Sequence, residues 1–94
     1  MAQQSIWLEE ILSSLQELGG VASLNDIYIK VQKRNKINLE LYIDWKSQIR
    51  KHIYLHSSDC KIFKGNAGDE SDIFYAKNGK GKGVWGVRKL IKYN

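Results

Sequence analysis

The fold is decided by residues 44–56, which read DWKSQIRKHIYLH. Placed at 100° per residue, this stretch predicts an amphipathic helix with one apolar and one cationic side. The apolar side carries Trp45, Ile49, His52, Ile53 and His56. The opposite side carries Lys46, Ser47, Arg50, Lys51 and Tyr54. Asp44 is the predicted N-cap, because its carboxylate can accept a hydrogen bond from an amide of the first turn.

The cationic side of this helix suits two different roles. Arg and Lys bind phosphates or guanine edges in a DNA major groove, and Ser and Tyr hydroxyls add short hydrogen bonds. An ordinary solvated helix face has the same composition. The rest of the chain therefore has to decide between these alternatives.

A first helix is predicted upstream, beginning after the N-cap Ser5 and running to about Leu18. Leu8, Ile11 and Leu15 form its apolar stripe. Two glycines follow at positions 19 and 20, and glycine readily takes the left-handed conformation that ends a helix. This helix is interpreted as scaffold.

A short strand and a second helix come next. Residues 21–22 are long enough only for an edge strand, and Ser23 followed by Asp26 is a helix-start pattern. The second helix should fray in the basic cluster at residues 33–36, which either contacts phosphates or complements the helix dipole. Residues 37–43 fit either a strand or a short helical turn.

Downstream of the basic helix the sequence predicts a β-hairpin. Residues 72–77 and 84–88 are rich in aromatic and β-branched side chains, which favour strands. The connection, NGKGKG at 78–83, holds three glycines that permit positive φ, and its lysines are Lys80 and Lys82. The predicted order is helix, short strand, two helices and a hairpin with a lysine-rich tip, an α+β fold.

Composition limits the class of protein. The 94 residues, 43% hydrophobic and 27% charged, fit one folded domain spanning 1–94. Neither a signal peptide nor a membrane-length apolar run is present, and a single cysteine, Cys60, fits a cytoplasmic protein. The net charge of +5 favours an anionic partner. Positive charge concentrates at residues 77–92, which contain six basic and no acidic residues.

Several motifs combine in this order. They are LGGVASL at 18–24, DIY at 26–28, WKSQIR at 45–50, SS at 57–58, DIFY at 72–75 and GKGVWGVR at 81–88. From about Ile6 to Leu90 the chain resembles a winged helix-turn-helix domain. In particular it resembles the modules attached to bacterial restriction endonucleases, and it is similar in layout to the C-terminal domain of a methyladenine-directed enzyme of that class.

The resemblance implies that the basic helix within residues 44–56 is a recognition helix and that the hairpin is a wing. In that arrangement the cationic side of the helix faces the major groove, with Arg50 as the best candidate for a guanine edge. An ion pair with Asp44 is the alternative for Arg50. The wing residues expected to contact the DNA backbone or minor groove are Lys77, Lys80, Lys82 and Arg88.

A methylated adenine would be recognised by an apolar surface beside the polar contacts. Tyr42, Ile43 and Trp45, at the start of the basic helix, are the candidates for contact with a methyl group or base. A place in the hydrophobic core is the preferred alternative for Trp45.

Other chemistries are weaker. His52, His56 and Cys60 are spaced by four residues, but the two histidines lie on the predicted core side, so no metal site is expected. Residues 79–83 lack the Gly-Lys-Ser/Thr of a phosphate loop. The chain contains no nuclease signature. We therefore expect a non-enzymatic protein without a cofactor.

Duplex DNA, with adenine methylation in a restriction context, is the expected partner, and a nuclease domain in a parent protein would supply cleavage. A winged-helix transcriptional regulator that binds unmethylated operators, most simply as a dimer, is one alternative. A protein-interaction module with an exposed apolar patch around Trp7 or Tyr93 is another. No membrane partner is expected.

Overall fold

A computed structural model describes residues 5–79 and 81–88 of the chain. The described residues form an α+β fold of three α-helices and one small antiparallel sheet. In chain order the elements are α1 (Ile6–Glu17), β1 (Val21–Ser23), α2 (Leu24–Arg34), a 3₁₀ turn (Leu39–Leu41), α3 (Trp45–Leu55), β2 (Phe74–Ala76) and β3 (Val84–Val87). None of the helices in this part of the chain is long and apolar enough to cross a membrane.

The first two helices begin and end at the predicted signals. Ser5 Oγ accepts a hydrogen bond from the amide of Leu8, and Ser23 Oγ accepts one from Asp26, both at 3.1 Å. Each hydroxyl satisfies an amide that the first helical turn leaves unpaired. Gly19 and Gly20 follow α1 with φ near +93° and +95°, as predicted for the helix stop.

Helix α2 ends inside the predicted basic cluster. Asn35 takes the left-handed conformation with φ of 54°, which a short polar side chain tolerates. The ambiguous segment that follows is a helical turn and not a strand, because Leu39–Leu41 forms the 3₁₀ turn. Asn38 caps it by accepting a hydrogen bond from the amide of Glu40 at 3.2 Å.

Helix α3 begins after the predicted cap Asp44 and ends at Leu55, within the predicted stretch 44–56. Asp44 Oδ1 accepts a hydrogen bond from the amide of Ser47 at 3.2 Å. Ile49 and Ile53, one turn apart, are both fully buried. Of the other residues predicted for the apolar side, His52 and His56 are half-buried at the margin of the core.

The three strands form one sheet in the order β1-β3-β2. The two later strands are shorter than predicted, and β3 occupies the centre because it pairs antiparallel with both neighbours. Val21–Ser23 is an edge strand, as expected from its length. Pairing to β1 ties the hairpin to the segment that leads into α2.

The core lies between the three helices and the sheet. α1 packs against both α2 and α3, and the sheet covers the remaining side. The buried aromatic residues of the core are Trp7, Phe74 and Trp85. The bulkiest of the fully buried side chains are Ile11, Leu15, Ile27, Ile49, Ile53 and Phe74. This packing fixes one side of α3 and leaves the other side facing outward.

Candidate nucleic-acid interface

The outward side of α3 carries a stripe of three long side chains, Lys46, Arg50 and Tyr54. They are spaced four residues apart and therefore lie one above the next along the helix. Lys46 is exposed, whereas Arg50 and Tyr54 are half-buried. The stripe starts beside α2 and ends beside the hairpin, so it crosses the surface between two other elements.

At its first end the stripe contacts an aromatic pair, Tyr28 of α2 and Trp45. The two rings meet edge to face, with centroids 6.1 Å apart. Lys46 Nζ lies 5.4 Å from the centroid of Tyr28 and 5.7 Å from that of Trp45, within cation–π range of both. These rings hold the ammonium group against the protein while leaving it accessible.

Arg50 is held in place by a hydroxyl and a carboxylate. Its Nη1 donates a hydrogen bond to Tyr28 Oη at 3.0 Å, and its Nη2 lies 3.8 Å from Asp44 Oδ2. The ion pair with Asp44 weighed from the sequence is therefore present, and the hydrogen bond to Tyr28 was not foreseen. The hydrogen bond to Tyr28 is the main cause that raises the pKa of Arg50, which stays charged at any physiological pH.

The second end of the stripe reaches the hairpin. The rings of Tyr54 and Trp85 lie with centroids 5.6 Å apart and planes tilted by 47°. Burial raises the pKa of the Tyr54 hydroxyl, which therefore remains protonated at neutral pH. Because Trp85 belongs to β3, this contact connects the stripe on α3 to the hairpin.

Two further predicted contacts on α3 have different surroundings. Ser47 Oγ donates a hydrogen bond to the carbonyl oxygen of Asp44 at 2.7 Å, so this hydroxyl already stabilises the first turn of the helix. Lys51 is exposed. Of these two side chains, Lys51 is the one whose polar group is not engaged by the helix cap.

The hairpin presents lysines on a turn of unusual backbone conformation. Asn78, Gly79, Gly81 and Gly83 all have positive φ, which lets the turn reverse within a few residues. Lys77, just before the turn, and Lys82, within it, are both exposed. Lys80, the third predicted contact, lies outside the described residues.

None of the ion pairs found within residues 5–79 and 81–88 uses Lys46, Lys51, Lys77 or Lys82. Their ammonium groups can therefore bind an anionic partner without first breaking one of these internal ion pairs. This is the electrostatic requirement for binding phosphates.

Arg88, by contrast, has three partners within the protein. Its Nε donates to Asp72 Oδ1 at 2.9 Å, and its Nη2 lies 3.3 Å from Asp59 Oδ2 and 3.2 Å from Ser58 Oγ. The guanidinium also lies 5.9 Å from the centroid of Tyr75. A DNA contact by Arg88 stays a prediction, and one that would compete with these interactions.

The three candidates for contact with a methyl group differ in exposure. Ile43 is fully exposed and lies two residues before α3. Tyr42 is half-buried against Trp7, with ring centroids 5.1 Å apart. Trp45 is half-buried and packs against the core. This position is close to the place in the hydrophobic core that the sequence favoured for Trp45. Ile43 is thus the side chain of this group that offers an apolar surface to a partner.

Sequence reasoning missed the role of Tyr28. Its ring lies under the ammonium group of Lys46, and its hydroxyl accepts a hydrogen bond from Arg50. No local signal could have revealed this, because Arg50 lies 22 residues away in the chain.

The exposed apolar patch that the protein-interaction alternative places around Trp7 is absent there, since Trp7 is buried. Tyr93, its other predicted position, lies outside the described residues. Among the described residues, the large apolar side chains with the greatest exposure are instead Leu41 and Ile43.

The histidines considered as metal ligands make hydrogen bonds to the backbone. His52 Nδ1 lies 2.7 Å from the carbonyl oxygen of Gln48, and His56 Nδ1 lies 3.3 Å from that of Ser71. The described part of the chain contains no group of three His, Cys, Asp or Glu side chains arranged to hold a metal ion.

The arrangement offers cations and hydroxyl groups along α3, from Tyr28 of α2 to Trp85 of the hairpin, and Ile43 is exposed just before the helix. Such a surface can bind phosphates and contact the edges of bases. Comparisons with protein families, with characterised proteins and with solved structures give no match to this chain.

Proposed function

We propose that this chain is a winged helix-turn-helix domain that binds duplex DNA, with α3 as the recognition helix and the β2–β3 hairpin as the wing. The observation that carries the proposal is the stripe of Lys46, Arg50 and Tyr54, which runs along α3 into contact with Trp85 of the hairpin. A helix that enters the major groove and a wing that follows the neighbouring backbone need this adjacency.

Burial and charge support the same assignment. The inner side of α3 is anchored by Ile49 and Ile53, both fully buried, so its outward side cannot turn into the core without unfolding. Lys46, Lys51, Lys77 and Lys82 supply positive charge on α3 and the hairpin, and the chain carries a net charge of +5. Contacts to phosphate dominate affinity for DNA, and they require this excess of positive charge.

The first experiment is a fluorescence anisotropy titration of a labelled duplex at several salt concentrations. A plot of log K against log salt should have a slope of roughly −3 to −6, which corresponds to the release of several counterions. Lys82→Ala should weaken binding to all sequences alike and make the slope shallower by about 1. Lys64→Ala, in an exposed residue of the segment after α3 that is not a predicted DNA contact, is the matched control and should change neither value by much. Negligible binding at physiological salt would refute the proposal.

Arg50 is the proposed base contact, and its effect on different DNA sequences tests this role. Arg50→Ala should cost about 1–3 kcal/mol on a preferred site and much less on unrelated sequences. Equal losses on every sequence would remove Arg50 from base recognition and leave it as a residue that binds phosphate or supports the fold.

The sharper form of the proposal is recognition of N6-methyladenine, in the context of a restriction system. Its support is Ile43, an apolar side chain that is fully exposed two residues before α3, the helix that carries the cationic stripe. The N6 position of adenine is accessible in the major groove, so an apolar side chain can contact a methyl group there without base flipping.

Matched duplexes with and without N6-methyladenine test this form. Ile43→Ala should reduce the preference for methylated DNA by roughly fourfold, the equivalent of about one buried CH₂ group at 0.8 kcal/mol. Leu41→Ala is the matched control, because Leu41 is also an exposed apolar residue but lies in the 3₁₀ turn. Equal affinity of the wild type for the two duplexes would instead favour a regulator of unmethylated operators, whose dimerisation sedimentation would detect.

A protein-interaction module is the second candidate, favoured by the exposure of Leu41 and Ile43. Large apolar side chains that are exposed side by side often mark a protein contact. This candidate predicts that Leu41→Ala and Ile43→Ala both weaken partner binding and that DNA binding is absent at physiological salt.

A further inference from the structure

A pocket of about 260 Å³ lies between the end of α3 and the hairpin. It is lined by Tyr54, by Cys60, Lys61 and Ile62 of the loop after α3, and by Gly81 and Trp85 of the hairpin. The DNA-binding proposal uses Tyr54 only as the end of the cationic stripe and leaves this pocket without a role.

The walls of the pocket are mainly apolar and include two aromatic rings. Tyr54 and Trp85 meet at an angle of 47°, so their rings form two sides of a wedge rather than a closed stack. Ile62 adds an aliphatic side chain that is 47% exposed. Burial raises the pKa of the Tyr54 hydroxyl, in keeping with poor hydration on this side of α3. Such walls favour a flat ring, which gains edge and face contacts with both aromatic residues.

Charge at the pocket favours an acid. Lys61 is exposed, and a lysine that lines an apolar wall does so with its aliphatic stem while its ammonium group stays in water. No acidic side chain is among the described residues that line the pocket. A carboxylate at the mouth would therefore meet a cation and no acidic side chain of the described lining.

We propose that this pocket binds a small aromatic carboxylic acid, with its ring packed against the exposed parts of Tyr54 and Trp85 and its carboxylate beside Lys61. The volume lies just below the range of roughly 300–1,000 Å³ that is typical of sites for drug-sized ligands. A single ring or two fused rings therefore fit the pocket better than a larger ligand.

Nuclear magnetic resonance of the ¹⁵N-labelled full chain tests the pocket without DNA. Indole-3-acetate is the probe, and indole-3-acetamide is its neutral counterpart. Saturable shifts at the amides of Ile62, Gly81 and Trp85, with tighter binding of the acid than of the amide, are expected. Shifts centred elsewhere, or none up to about 10 mM probe, would overturn the proposal, since no useful affinity then remains.

Two substitutions separate the charge from the ring contacts. Lys61→Gln should weaken binding of the acid about two- to fivefold, as expected for an exposed ion pair, and should leave binding of the amide unchanged. Lys64→Gln, in an exposed lysine that does not line the pocket, should change neither. Tyr54→Leu should weaken binding of both probes. If Lys61→Gln leaves the preference for the acid intact, the proposed placement of the carboxylate is wrong.

One consequence rests on the proposed function. A bound acid adds a negative charge between α3 and the hairpin, so it should lower affinity for duplex DNA, and DNA should lower affinity for the acid by the same factor. Probe binding that leaves DNA affinity unchanged would refute this coupling alone. Absence of DNA binding in every condition would refute the proposed function, while the resonance shifts still decide whether the pocket binds acids.

Discussion

Asp72 allows the most direct test of how the region after α3 is held together. Its carboxylate is buried and accepts hydrogen bonds from the amide of Ser58 at 2.8 Å, the amide of Gly68 at 2.9 Å and Nε of Arg88 at 2.9 Å. These donors come from three separate segments. Replacing Asp72 with Asn would put an NH₂ group where an acceptor is needed and would remove the charge opposite Arg88.

The pKa of Asp72 gives the size of its contribution to the free energy of unfolding. Burial alone would raise it, but the amides of Ser58 and Gly68, the Ser58 hydroxyl and the charge of Arg88 outweigh burial and lower the pKa to about 2. In the unfolded chain the value is near 3.9. Because the folded-state pKa is the lower of the two, the carboxylate stabilises the fold fully above about pH 4 to 5. This contribution, about 2–3 kcal/mol, is lost as the pH falls towards 2.

Urea denaturation followed by tryptophan fluorescence measures both effects. At pH 7, Asp72→Asn should lower the free energy of unfolding by about 2–4 kcal/mol, since charge-assisted hydrogen bonds are lost and donors are left unpaired. The variant should also lose less stability than the wild type between pH 5 and pH 2. Glu70→Gln, in an exposed carboxylate of the same loop, is the control and should stay within about 0.5 kcal/mol. A change below that level for Asp72→Asn, or an unchanged acid dependence, would refute the reasoning.

Two more predictions concern long side chains that link helices. Arg34→Met should lower the free energy of unfolding by about 2–4 kcal/mol in urea denaturation, because it leaves the buried carboxylate of Glu10, now 2.8 Å from Arg34 Nε, without its partner. Lys33→Met, in an exposed neighbour, should cost less than about 0.5 kcal/mol, and equal effects of the two would contradict this. Tyr28→Phe should cost about 0.5–1.5 kcal/mol by removing the hydroxyl that Arg50 donates to. If thermal and urea denaturation of Tyr28→Phe match the wild type, that hydrogen bond does not contribute to stability.

The interactions of Arg50 and Arg88 also bear on the proposed DNA surface. A guanidinium that binds guanine in two places presents a free edge of its fork, whereas Nη1 of Arg50 already donates to Tyr28 and its Nη2 lies 3.8 Å from Asp44 Oδ2. Its side chain is 36% exposed, so the remaining donors can still reach a partner. Arg88 is less available, because Asp59, Asp72 and Ser58 all contact it. The lysines of α3 and the hairpin are therefore the more accessible cations.

The start and end of each helix could be predicted from the sequence because the interactions that set them are local. Ser5, Ser23 and Asp44 each cap an amide three residues ahead, and the left-handed Gly19 follows directly after α1. The amphipathic pattern of α3 was equally readable, since burial of Ile49 follows from a period of 3.6 residues. These features depend on residues that lie within one or two helical turns of each other.

Only the tertiary structure decided which charged side chains remain available on the surface. Tyr28 and Arg50 are 22 residues apart, Glu10 and Arg34 are 24 apart, and Asp72 and Arg88 are 16 apart. Each pair meets because separate elements pack together, and no periodicity along the chain encodes such a contact. The sequence therefore determined the helices and the cationic side of α3. Packing determined which of those cations already have a partner inside the protein, because ion pairs depend on distance in space and not on position in the chain.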